Sequence, residues 1–160
     1  MRPAMTDKEI VTYKKILEGT DHYLESGCGG TTMIALDSNV SRIDVIETDI
    51  DWINKLKNES AIIEGMKKNR LKFHHRDIGK VIQWGIPANR TKIENWPFFS
   101  MSVWQELSDD IDFVFVDGRF RVATTLAALI MANEDATIML HDFVDREHYN
   151  VVLELSLIHI

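Results

Sequence analysis

Cysteine is almost missing. The single thiol, Cys28, excludes an internal disulfide and a cysteine-rich zinc site. Long apolar runs are missing too: none approaches the length of a membrane span, and the opening "MRPAMTDKEI" has no apolar core of signal-peptide length. Positive charge is in deficit, with 18 Lys and Arg against 25 Asp and Glu and a formal net charge of −7. That argues against a surface built to neutralise nucleic-acid phosphates. There is no repeat and no low-complexity linker. A chain of 160 residues is long enough for one domain with a real core. These exclusions leave a cytoplasmic domain over residues 1–154, with no nucleic-acid or membrane partner. The last residues, 155–160, read as a truncated or artefactual tail, because "LSLIHI" looks like translated sequencing adapter.

Glycine is also sparse, yet three of the eight stand within four positions, in "HYLESGCGGTTMIAL". Around that cluster the elements alternate. Thr6 and Glu9 fit a capping box opening an N-terminal helix within residues 1–19. "HYLE" reads as a strand and "TTMIALDS" as a helix. "SRIDVIETD" is a second strand. "DIDWINKLKNESAIIEGMKKN" reads as one long helix, with Ile53, Leu56, Ile63 and Met66 near one face. "LKFHHRD" is a third strand, with His74 and His75 read as structural and without a partner. Residues 79–110, rich in Trp and Phe, are irregular and read either as a lid over the acceptor or as a long loop whose aromatics pin it to the core. "DIDFVFVDG" is a continuous apolar strand, as expected when both faces are buried. "FRVATTLAALIMAN" is a helix with Val122, Leu126, Leu129 and Ile130 on one side, "ATIMLHD" is a fifth strand, and a further helix starts near Asp145.

Alternation of this kind implies an α/β fold with a doubly wound, mostly parallel sheet, which binds ligands at the carboxyl ends of its strands. The strand ends are Glu25, Glu47, Asp77, Asp117 and Asp142, so the spacing predicts a strongly negative rim. The turn Gly27-Cys28-Gly29-Gly30 lies between strand and helix, where backbone N–H groups can meet a ligand. The dinucleotide pattern Gly-x-Gly-x-x-Gly fails at Thr32. Glu25 would repel a pyrophosphate but accept an ammonium or hold the loop's N–H groups. Glu47 stands where an acid takes two hydrogen bonds from ribose hydroxyls. A nucleoside with a cationic tail fits better than a dinucleotide.

"ESGCGGT", "VIETD", "HHRDIG", "FVFVDGRFR" and "IMLHDF" together resemble, in order and spacing, the motifs of class I S-adenosylmethionine-dependent methyltransferases. The resemblance covers about residues 20–150 and departs at Thr31, where the family has a third glycine. It implies a Rossmann-like methyltransferase fold lacking the closing antiparallel strand pair. It also implies methyl transfer from S-adenosylmethionine to a small-molecule acceptor. The cofactor would lie against Glu25, Gly27, Cys28, Gly29, Gly30, Glu47, Thr48, Asp77, Ile78 and Asp117. In catechol-type relatives, acids at the positions of Asp117 and Asp142 help hold magnesium, but Phe143 stands where the family has its third ligand. Asp117, Asp142 and His141 are the catalytic candidates. Arg119 and Arg121, at a helix start that disfavours cations, either bind an acceptor carboxylate or phosphate or pair with the rim acids. An NAD-dependent oxidoreductase and a non-catalytic binding module are the rival readings.

Overall fold

The computed structural model describes residues 1–108, 110–144 and 146–156. α1 (Asp7–Leu17) opens on the expected capping box: Glu9 N donates to Thr6 Oγ1, and Thr6 N donates to Glu9 Oε2 at 2.7 Å. β1 (His22–Ser26), α2 (Gly30–Leu36) and β2 (Arg42–Glu47) follow. Then come α3 (Ile50–Leu56), α4 (Ser60–Lys67), β3 (Leu71–His75) and a small antiparallel hairpin, β4 (Val81–Ile82) with β5 (Ile86–Pro87). α5 (Trp96–Met101), β6 (Phe113–Val116), α6 (Arg121–Met131), β7 (Thr137–Leu140) and α7 (Val151–Ser156) complete the order. Five strands form one parallel sheet in the order β3-β2-β1-β6-β7. The predicted doubly wound sheet is therefore present. Among the described residues no strand follows β7. The order reverses at β1, which places the turns after β1 and β6 side by side at the point where such sheets take ligands.

Alternate residues of the central strands feed two cores. Tyr23, Phe113 and Phe115 pack with Tyr13 and Leu17 of α1 and Ile62 of α4. Leu24, Val114 and Val116 pack with Phe99, Val103 and Ala128 on the other face. All four side chains of β6 are buried, which is why its sequence is apolar without alternation.

The structure corrects three expectations. The long helix after β2 breaks at residues 57–59, where Asn58 Nδ2 donates to the Asn54 and Lys55 carbonyls and closes α3. The break shifts the helical phase, so Ile62 is buried and Ile63 is exposed. α6 buries Thr124, Thr125, Ala127 and Ala128 and exposes Leu129 and Ile130. Its small residues allow close approach to α5, where the Thr124 and Ser100 hydroxyls meet at 2.9 Å. Finally, most of residues 79–110 is no lid. Phe99 and Val103 are core, and Trp96 Nε1 donates to the Ile78 carbonyl. This strap is the layer that covers one face of the sheet. The helix expected near Asp145 appears as a turn at Glu147–Tyr149 followed by α7, while Asp145 itself and tail residues 157–160 lie outside the described residues.

Candidate functional site

Three glycines of the β1–α2 turn meet three different neighbours. Gly27 has a φ of 87°, and a Cβ there would stand 2.8 Å from the Gly118 backbone. Gly118 in turn has no room for a side chain, with Ser26 Oγ only 2.6 Å from its Cβ position. The two turns are thus glycine because they touch each other. Gly30 lies under the N-terminal segment, 2.2 Å from Pro3 N by the same measure. A Cβ on Gly29 would meet nothing within 4 Å. Of the three, only Gly29 has free room at its Cβ position, although the residue itself is buried.

Glu25 holds this turn, one step removed. Its side chain is fully buried and accepts from the Thr31 and Thr32 hydroxyls, at 2.6 Å for Thr32. Thr32 Oγ1 in turn accepts from Gly29 N at 3.0 Å. Burial pushes the Glu25 carboxyl up to about 8, against the two threonine hydrogen bonds. It is accordingly neutral below that pH and makes a poor ammonium ligand. Thr31 and Thr32 were legible only as departures from a glycine pattern, yet they tie the acid to the turn.

Glu47 closes the turn from β2. Its Oε2 accepts from Cys28 N at 3.1 Å and from Cys28 Sγ at 3.4 Å, and Oε1 accepts from Thr48 N at 2.6 Å and Asp49 N at 3.0 Å. Trp52 Nε1 donates to the Cys28 carbonyl at 2.9 Å, a contact that no sequence motif announced. Burial drives the Cys28 thiol pKa far up, so it is no nucleophile. Asp77 is exposed, pairs with Lys92 and accepts from Gly79 N at 2.9 Å, while neighbouring Ile78 is buried in the core. The β4–β5 hairpin overhangs this rim. A Cβ on Gly85 would stand 2.7 Å from Thr48 Oγ1, 3.7 Å from Arg119 Cγ and 3.8 Å from Glu47 Oε1.

On the β6–β7 side, Arg121 is buried and bridges both acids: Nη2 lies 2.7 Å from Asp117 Oδ1 and Nη1 lies 3.1 Å from Asp142 Oδ2. Nη1 also donates to the His141 carbonyl at 2.8 Å. Of the two roles open to it, Arg121 takes the ion pair. Arg146 adds a second cation, 2.9 Å from Asp142. A regular strand would have turned His141 and Asp142 to opposite faces. Instead β7 ends at Leu140, and Asp142 adopts a φ of 57°, which brings both residues to Asp117. His141 Nδ1 pairs with Asp117 at 2.8 Å, and that hydrogen bond raises its pKa despite burial. One ligand atom from each of Asp117, His141 and Asp142 lies within 4.8 Å of the others. A divalent cation nevertheless fits poorly, because the Arg121 guanidinium already occupies the space between the carboxylates. The strongly negative rim is also overturned. Glu25 is neutral near pH 7, Asp77 pairs with Lys92, and Asp117 and Asp142 share two guanidinium groups.

Solved structures place this arrangement in a class. A methyltransferase-like protein from Silicibacter pomeroyi superposes with a TM-score of 0.84 at 26% identity, over 96% of this chain and 80% of its own. An O-methyltransferase from Bacillus cereus, solved in complex with S-adenosylhomocysteine, gives 0.61 at 14% identity over 98% of this chain and 71% of its own. Spermidine synthase from Thermotoga maritima gives 0.52 at 13% identity over 92% and 47%. No protein-family model and no curated protein matches the chain. The chain has the class I methyltransferase fold. No helix among the described residues is long and apolar enough to cross a membrane.

Proposed function

We propose that this chain is an S-adenosylmethionine-dependent methyltransferase acting on a small molecule. One observation carries the reading: Glu25, through Thr32, and Glu47, through Cys28, hold a glycine turn with free room beside Gly29, where the strand order reverses. These residues fit the cofactor. Gly29 admits its amino-acid tail against bare backbone. Glu47 offers the ribose hydroxyls an acceptor, and Oε2 is the oxygen to claim, since it accepts two bonds, both from Cys28, whereas Oε1 accepts three from Thr48 and Asp49. Thr48, Asp77 and Ile78 flank the adenine side.

S-adenosylmethionine supplies an electrophilic methyl group on a sulfonium. The chain's own contribution is to bring an acceptor in line and keep water out, which can supply much of the barrier reduction. The Gly85 hairpin walls the rim between Glu47 and Arg119. Asp117, Arg119 and Asp142 line the acceptor side. His141 is a positioning residue, because its pKa is raised and its ring is committed to Asp117. Isothermal titration with S-adenosylhomocysteine tests the reading. Binding by the wild type and at least tenfold loss in Glu47→Ala is the expected result. Absence of binding to the wild type sinks the cofactor claim.

A further inference from the structure

Among the described residues, one guanidinium at the rim has no hydrogen-bond or ion-pair partner. Arg121 and Arg146 are matched by Asp117 and Asp142. Arg119, on the turn between β6 and α6, makes no hydrogen bond or ion pair from its guanidinium among the described residues, and its Nε is buried without an acceptor. A buried polar group left in that state is costly, and more so when charged. A second orphan lies close by. Ser26 is 0% exposed, its hydroxyl has no partner, and it abuts Gly118, the residue before Arg119. Two unsatisfied donors thus flank one glycine at the mouth of the site.

We propose that Arg119 receives an oxyanion on the methyl acceptor, a carboxylate or a phosphate, and so defines the acceptor as an anionic small molecule; this rests on the methyltransferase reading above. The planar fork of a guanidinium matches two oxygens of such a group. The ion pairs agree: Asp117 and Asp142 are taken by Arg121 and Arg146, which leaves Arg119 as the unmatched cation among the described residues here. Gly85 of the hairpin lies beside its stem, where a Cβ would stand 3.7 Å from Arg119 Cγ and 2.7 Å from Thr48 Oγ1.

The competing taker is the carboxylate of the cofactor itself, so the protein is first saturated with S-adenosylhomocysteine. Benzoate and inorganic phosphate are then titrated separately, followed by calorimetry and by the NMR signal of the Arg119 Nε–H. One of the two binds with a Kd of about a millimolar, the range expected for a single charge-assisted fork, and shifts that signal. Which one binds decides between carboxylate and phosphate. Arg119→Met weakens anion binding at least tenfold and leaves S-adenosylhomocysteine affinity unchanged, whereas Arg119→Lys loses less. Thermal melts of both variants confirm that they fold. The proposal is overturned if neither anion shifts the Arg119 signal, if Arg119→Met binds the anion as well as wild type, or if that variant loses the cofactor product instead. Should S-adenosylhomocysteine fail to bind at all, the methyltransferase reading falls, and the same titrations of the free protein still decide whether Arg119 takes an anion.

Discussion

Gly27 and Gly29 stand two residues apart in the same turn, and they are glycine for different reasons. Gly27 needs its positive φ and its contact with Gly118; Gly29 needs neither. Gly27→Ala is therefore expected to destabilise the fold by about 2–3 kcal/mol through strain and clash. Gly29→Ala should leave the melting temperature within a few degrees and weaken S-adenosylhomocysteine binding at least tenfold. Calorimetric melts and titrations on the two variants check the pair. If Gly29→Ala binds normally, Gly29 is not where the ligand lies. The sequence showed the cluster and the acid before it, because both are local. It could not show which glycine is open, since that depends on Gly118 and Pro3, far away in the chain. Nor could it show that Glu25 is sealed by Thr31 and Thr32, since hydroxyls at a helix start usually serve as caps.

The strap between β3 and β6 shows what an element's composition conceals. Its aromatics fitted both a cover over a substrate and a loop pinned to the core, and the second holds for Phe99, which is 1% exposed and packs beneath α6 with its ring 5.6 Å from that of Phe120. Phe99→Ala should cost about 3–5 kcal/mol, the usual range for emptying a core aromatic, measured by urea denaturation. A lid residue would instead leave stability alone and change only acceptor binding. The short hairpin β4–β5 is the part of this segment that does overhang the rim. Trp84 sits in it with a φ of 65° and 71% exposure, so it is not held there by the core. α6 misled in the opposite way. Its large apolar residues marked a plausible face, but packing against α5 and the sheet selected the small ones. The five strands of the main sheet were legible, most plainly β6, because a strand buried on both faces has few alternatives to an apolar run, whereas the two-residue strands β4 and β5 left no pattern to read.

At the scale of the whole molecule, the buried charges set how stability should depend on pH. His22 of β1, Asp44 of β2 and His74 of β3 lie side by side across the sheet. His22 Nε2 is 2.9 Å and His74 Nε2 2.5 Å from Asp44. The strap grips the outer nitrogens, with Asp110 3.0 Å from His22 and Glu106 3.0 Å from His74. His74 was read as lacking a partner because Glu106 is some thirty positions away. Burial opposes charge on Asp44, but the two histidines outweigh it and hold its pKa at about 2. The stability this contributes is present above the ordinary aspartate value and is lost as pH falls towards 2. Burial likewise depresses His22, but Asp44 and Asp110 raise it overall. Its contribution is complete below the ordinary histidine value of 6.5 and is lost as pH rises through the folded value. Glu25 has the same slope from another cause. Its folded pKa of about 8 lies above the ordinary glutamate value of 4.5, so between the two the folded state holds a proton that the unfolded state has released. Stability therefore falls between those values. The sum places maximal stability near pH 4.5, where Asp44 is already ionised and the Glu25 contribution has only begun to fall. The melting temperature should drop by several degrees from pH 5.5 to 8.5, as a loss of about 2 kcal/mol implies for a chain of this length. Growing net negative charge would act in the same direction, so a control is needed. Glu25→Gln keeps a donor and an acceptor for the two threonines and should remove much of the drop. Glu18→Gln, on the exposed end of α1, removes the same unit of charge and should not. Equal slopes in the two variants would assign the pH dependence to net charge and leave the buried carboxyl without a part in it.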